Sequence, residues 1–230
     1  MRPNGIIVAI DGPAGAGKST TARAVAERLG YLYLDTGAMY RAVALAAVRA
    51  GVSPDDALAV ESLSVALEIE QISSGQGTRT LLGQEDVSDL IRTQDVSSAA
   101  SRIAVHPQVR KVLVGLQKTI GAAGGTVLEG RDTPTAIFPD AELKVFLEAT
   151  VEERATRRHR ELADSGDVRD LNQIRQEIQE RDDRDRKTQS QHGPWPSPEA
   201  IRVDTSGMSI DEQVDQVTRL AVEHGARVVV

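Results

Sequence analysis

Gly12-Pro13-Ala14-Gly15-Ala16-Gly17-Lys18-Ser19 has the spacing G-x-x-x-x-G-K-S, the pattern of a loop that cradles phosphate groups. Glycines let such a backbone curl until successive N–H groups point inward. The helix that follows adds the positive end of its dipole. On this pattern Gly12, Pro13, Ala14, Gly15, Ala16, Gly17, Lys18, Ser19 and Thr20 would surround ATP. Lys18 would reach the β- and γ-phosphates, and the Ser19 hydroxyl would bind Mg2+. A triphosphate loop alone does not separate a kinase from a GTPase or a motor. The chain has no N-K-x-D base-reading motif, and its layout is that of a small kinase: a triphosphate loop, an inserted lobe for an acceptor and a charged lid.

Three further clusters could do phosphate chemistry. Asp35-Thr36-Gly37-Ala38-Met39-Tyr40-Arg41 follows an apolar stretch, so Thr36 and Arg41 would stand at a helix start beyond a strand end. Ligands of parallel sheets gather there, although an ordinary helix cap and a surface arginine would read the same way. Glu129-Gly130-Arg131-Asp132 follows Thr126-Val127-Leu128 in the same manner. Glu129 is a candidate to hold Mg2+ through water, and Arg131 a candidate phosphate clamp. Arg181, Arg184, Asp185 and Thr188 are spaced i, i+3, i+4, i+7 and share one helix face. On their own they would equally describe a solvated, ion-paired face. Over a phosphoryl transition state those arginines would neutralise charge. The four histidines, His106, His159, His192 and His224, are scattered without metal-ligand spacing. No Ser/His/Asp arrangement supports nucleophilic catalysis.

The elements that must position these residues are readable as alternating strands and helices. Ile6–Ile10 is a continuous β-branched run, as in a strand buried on both faces. A helix is expected from about Ser19 to Leu29, a strand over Tyr31–Leu34, and a helix from there to about Ala50. Thr126–Leu128, Leu143–Leu147 and Ala200–Val203 are further strands, with a last helix from about Ile210 to His224. Such alternation means an α/β fold with a parallel sheet. Two stretches interrupt it. Residues 52–105 hold a short helix and two strands, Glu68–Ile72 and Thr78–Leu82, joined by a turn at 73–77. Residues 152–198 are highly charged, carry a helix over Asp170–Lys187, and end in the irregular Gly193-Pro194-Trp195-Pro196-Ser197-Pro198. The expected organisation is one domain: a core of about 1–51, 106–151 and 199–230, a lobe of about 52–105 and a lid of about 152–198, the lid a mobile cover.

Composition bounds the partners. At 230 residues and 40% hydrophobic the chain can bury a sizeable core. Its formal net charge of −7 argues against nucleic-acid or membrane-surface binding. Six aromatic residues leave little for base stacking, and the absence of cysteine suits a reducing cytoplasm. Ile6–Ile10 is too short for a signal or membrane segment, so a cytoplasmic protein acting on small molecules is expected, with monomer the default for so small a kinase. The 27 basic residues divide into 22 Arg and 5 Lys, and arginine forks fit phosphate. A high-GC genome would give the same ratio.

The motifs, in order and spacing, resemble the bacterial cytidylate kinases. They run from Ala9–Ser19 through Tyr33–Arg41, Asp86-Val87-Ser88, Ile91-Arg92-Thr93, Ala99-Ala100-Ser101 and Pro107–Arg110 to Glu129–Asp132, Phe138–Ala141 and Glu180–Asp185. The resemblance implies a P-loop kinase fold. Its core would be a five-stranded parallel sheet with helices on both faces, carrying an inserted NMP-binding lobe and a helical lid. It implies transfer of a phosphoryl group from ATP to CMP or dCMP with Mg2+. By the same resemblance Thr36, Arg41 and Arg131 hold the acceptor phosphate, and Ser101, Arg110 and Asp132 read cytosine. Arg181 and Asp185 contact ribose and phosphate, and Lys18, Arg131, Arg181 and Arg184 are catalytic. Another acceptor such as UMP, or a weakly catalytic regulatory protein, are the competing readings. Three departures stand out. Thr133-Pro134 replaces the family's usual Ile/Met-Gly, and proline reshapes the loop beside Asp132. Thr188 stands where a lid arginine is usual, so Arg184, Arg186 or Lys187 would take its place. His192-Gly193-Pro194-Trp195-Pro196 replaces a Pro-Leu segment.

Overall fold

The computed structural model describes residues 2–74, 77–164, 169–189 and 193–228. The expected turn at 73–77 includes residues 75 and 76, and the segment after the lid includes His192; these three lie outside the described residues. The chain divides into two compact units. One comprises residues 1–31 and 124–230, the other residues 32–123. These boundaries differ from the expected lobe of 52–105 and lid of 152–198, because the second strand and its helix group with the lobe.

The five strands read from the sequence are all present: β1 (Ile7–Asp11), β2 (Leu32–Asp35), β6 (Thr126–Gly130), β7 (Leu143–Glu148) and β8 (Ile201–Asp204). They form one sheet in the order β2-β6-β1-β7-β8. β1 pairs in parallel with β6 on one side and β7 on the other, with Ile10 opposite Glu129 and Asp11 opposite Gly130. Every residue of β1 and β6 is buried, which is why Ile7–Ile10 of β1 reads as an unbroken apolar run rather than as an alternating one.

In the first unit α1 (Lys18–Leu29) packs on β6 and on α8 (Ile210–Glu223). α8 starts in a capping box, where Ser209 and Glu212 satisfy each other's backbone N–H. The charged stretch after β7 is a helical hairpin of α6 (Val151–Asp164) and α7 (Leu171–Gln189). The sequence reading expects only the second of these helices. The hairpin closes on a small apolar strip, Ala155, Leu162, Ile174 and Ile178. Trp195 follows it and meets the Phe146 ring edge-on, with centroids 5.3 Å apart.

In the second unit α2 (Thr36–Arg49) packs against α4 (Gln94–Ile103), and α3 (Ala57–Ala66) against α5 (Pro107–Gly121). A separate antiparallel sheet joins β3 (Ile69–Ser74), β4 (Gly77–Leu82) and β5 (Glu85–Asp86). The register sets Ile69 opposite Leu82 and Gln71 opposite Thr80.

Candidate active site

The phosphate loop leaves β1 at Gly12, and two glycines make its path possible. Gly12 has φ 150°, and a Cβ there would lie 2.1 Å from the Leu147 carbonyl oxygen of β7. Gly17 has φ 89° and caps α1, and a Cβ there would lie 2.6 Å from Gln213 Oε1. The loop's carbonyls are engaged by side chains. Lys18 Nζ donates to Pro13 O at 2.8 Å, Arg154 Nη1 to Ala14 O at 3.0 Å and Thr205 Oγ1 to Ala16 O at 3.2 Å. No side chain caps α1, so the N–H groups of its first turn are open to an anion.

Around Lys18 the first unit gathers charge. Burial and the neighbouring Arg131 and Arg181 push the Lys18 ammonium down to about 7, against the pull of Glu129 and Asp185. Arg131 Nε donates to Asp185 Oδ2 at 2.7 Å. Burial works against the Asp185 charge, but Arg131, Arg181 and Lys18 outweigh it and hold the carboxyl below its ordinary range. Lys18, Arg131 and the exposed Arg181 repel one another, Glu129 and Asp185 offset that only in part at Lys18, and a polyanion would relieve it. Arg184 lies on an exposed position of the same helix.

Ser19 Oγ donates to Glu129 Oε1 at 2.7 Å, so the hydroxyl after the loop lysine and the carboxylate at the end of β6 meet at one point. Two hard oxygens side by side fit Mg2+, which takes few protein ligands and completes its octahedron with water and phosphate. Among the described residues no group of three or more His, Asp or Glu forms a larger cage.

After Arg131 the chain makes one wide turn, Thr133–Ile137, with Pro134 in its first positions. Ala136 N–H donates to Asp132 O at 2.9 Å, and Phe138 N–H to Thr133 O at 2.9 Å. Proline costs little at the start of a helical turn, where its missing N–H would have no partner. Asp132 itself is buried. Below the turn lies Asp11, 1% exposed. Its Oδ1 accepts from Thr133 N–H at 3.0 Å and Thr133 Oγ1 at 2.6 Å. Burial pushes its carboxyl up to about 7, partly offset by the Thr133 hydroxyl.

Arg154 joins three elements. Besides Ala14 O it donates to Ala149 O at 3.1 Å, and it holds Asp182 of α7 with two bonds, 3.1 Å and 2.6 Å. One turn on, Arg157 donates to Thr205 O and Oγ1. Asp11, Arg154 and Asp182 are given no role by sequence reasoning, and Thr133 enters it only as a departure in the loop beside Asp132. Nothing but an aspartate ending a buried strand points to the first, and Arg154 and Asp182 read as surface charge.

The second unit carries Thr36, Arg41, Ser101 and Arg110. Thr36 opens α2 directly after Asp35, whose Oδ1 accepts from Ala38 N–H at 2.8 Å and whose Oδ2 accepts from Arg41 at 2.9 Å. Buried Gln71 pins that corner, accepting from Asp35 N–H at 2.9 Å and donating to Asp35 O at 2.7 Å. Gln71 is a further residue without a sequence signal. Ser101 sits in the last turn of α4, its hydroxyl on Ser97 O at 3.2 Å. Arg110 is buried near the start of α5 and donates to Ala104 O at 3.4 Å.

Comparison with known proteins gives the family of the chain. The family model for cytidylate kinases matches residues 8–223. A cytidylate kinase of Geobacter sp. (strain M21) is 42% identical over 228 residues, spanning 99% of this chain and 97% of its own. One of Geobacillus sp. (strain WCH70) is 45% identical over 221 residues, spanning 96% and 98%. Among solved structures, an uncharacterised protein from Eubacterium ventriosum superimposes with TM-score 0.56 at 12% identity, covering 95% of this chain and 98% of that one, a likeness of fold. The chain therefore belongs to the cytidylate kinase family.

Proposed function

We propose that this chain transfers the γ-phosphoryl group of ATP to CMP or dCMP, releasing ADP and CDP or dCDP. The observation that carries the reading is the cationic group of Lys18, Arg131 and Arg181 at the mouth of a phosphate loop, in a chain of this family. The loop amides and the α1 N-terminus bind the ATP phosphates. Lys18, drawn from Pro13 O to the phosphates, regains its full charge there. Ser19 and Glu129 would hold Mg2+, which when bound neutralises phosphate oxygens.

Thr36 and Arg41 hold the acceptor phosphate, with Arg131 released from Asp185 to join them. Asp185 is then free to accept from sugar hydroxyls. Asp132 accepts from the exocyclic amine of cytosine, while Arg110 and Ser101 donate to its N3 and O2. Uracil puts a carbonyl where cytosine has the amine, so a carboxylate disfavours it. An acceptor phosphate is already a nucleophile, so no general base is needed, and catalysis is alignment and charge neutralisation. The protein acts as a monomer on these small molecules, which light scattering across a concentration series would check. The reading is tested by phosphorus NMR of protein, ATP, Mg2+ and CMP. Equal appearance of CDP and ADP supports it. ADP formed with phosphate and no CDP refutes it.

A further inference from the structure

Arg131 and Asp132 carry two roles in the proposed reaction, yet they sit between a strand end and a turn, where backbone is easily displaced. On the strand side Gly130 is fixed by its pairing with Asp11 across β1 and β6. On the turn side the internal bonds to Asp132 O and Thr133 O close the turn on itself. Buried Pro134 and Ile137 pack it down, and among the described residues its hydrogen bonds to the sheet go to Asp11. A single oxygen, Oδ1, receives both the amide and the hydroxyl of Thr133, while Oδ2 has no partner among the described residues. Both residues are fully buried, so no water competes for these bonds. The same aspartate thus brackets the dipeptide: its backbone lies opposite Gly130 in the ladder and its carboxyl holds Thr133.

Pro134 follows Thr133 directly at the start of the turn, so a fixed φ and the second bond to Asp11 occur together there.

We propose that Thr133 is a positioning residue whose hydroxyl, bonded to buried Asp11, sets the placement of Asp132 and Arg131 and so sharpens the choice of cytosine over uracil monophosphates. This rests on the assignment of Asp132 as the base reader. The test is steady-state kinetics with CMP and with UMP for Thr133→Val, Thr133→Ser and Asp132→Ala, alongside thermal midpoints. Valine keeps the shape and removes the hydroxyl. It is expected to raise KM for CMP about tenfold and to narrow the CMP-to-UMP ratio of kcat/KM by a similar factor. Serine, which keeps the hydroxyl, is expected to restore that ratio to within about twofold of the parent. Should valine prevent folding, Thr133→Ala reads the same loss. An unchanged ratio in the valine or alanine variant, or a serine variant as impaired as valine, overturns the proposal while a collapsed ratio in Asp132→Ala leaves the base-reader assignment standing. An unchanged ratio in Asp132→Ala overturns both.

Discussion

Asp182→Ala removes one partner of the ion pair that is most completely buried among the described residues of the lid hairpin. Arg154 is 3% exposed and its guanidinium meets four acceptor atoms: both Asp182 oxygens, Ala14 O and Ala149 O. Losing the carboxylate leaves a buried cation with two backbone carbonyls. Truncating one member of a buried pair costs roughly 3–5 kcal/mol. The Asp182 side chain is 12% exposed, so water can enter beside it and the lower end applies, about 3 kcal/mol. In a chain of this length 1 kcal/mol moves the thermal midpoint by about 2–4 °C, so the expected fall is about 6–12 °C. Trp195, the single tryptophan, packs on Phe146 and supplies a fluorescence signal for the unfolding of this unit. Calorimetry gives the midpoint independently. Asp182→Asn keeps one acceptor and loses the charge, and should fall between the parent and alanine. A shift below about 2 °C for alanine would show that the pair contributes no more than a surface ion pair, and the reasoning would fail.

Other outcomes follow from the same geometry. Arg131→Ala should cut turnover at least about tenfold, because it removes a charge-assisted phosphate contact; unchanged kcat would assign Arg131 a purely structural part. Asp11 gives a pH signature. Its carboxyl titrates near 7 in the fold and near 3.8 unfolded, so the native state holds a proton that the unfolded chain has lost. Stability therefore falls as pH rises from about 4 to 7, by at most about 4 kcal/mol, and levels off above. Asp11→Asn lacks this term, so its thermal midpoint relative to the parent should climb by several degrees between pH 5 and pH 8; an offset constant with pH would contradict it. Gln71→Ala leaves Asp35 N–H and O without side-chain partners and should lower stability by about 1–3 kcal/mol in urea titration, with no loss expected if water replaces both bonds.

How much of this is legible in the sequence depends on the range of the interaction. β1 is readable because burial on both faces demands an unbroken run, here Ile7-Val8-Ala9-Ile10. The phosphate loop is readable because its glycines answer local needs, the crossing of β7 at Gly12 and the start of α1 at Gly17. α6 is not, since Glu152-Glu153-Arg154 and Arg157–Arg160 hide a strip of two buried residues, Ala155 and Leu162, that closes only on the partner helix. Arg154 shows the limit most clearly. Among so many charges it reads as solvated, and its burial depends on an aspartate 28 residues away. The Asp11–Thr133 bond spans 122 residues and has no local signature. Thr133-Pro134 reads as a reshaped loop beside Asp132. It forms a closed turn because proline falls where no N–H is required.

The central claim, phosphoryl transfer to a cytosine monophosphate, is tested most directly by kcat/KM of the purified chain with MgATP and a panel of CMP, dCMP, UMP, AMP and shikimate, read as ADP release. The account predicts that CMP or dCMP leads UMP by about a hundredfold or more, because a carboxylate facing a carbonyl leaves both unpaired. Preference for UMP or another acceptor, or no turnover with any acceptor despite ATP binding, would contradict it.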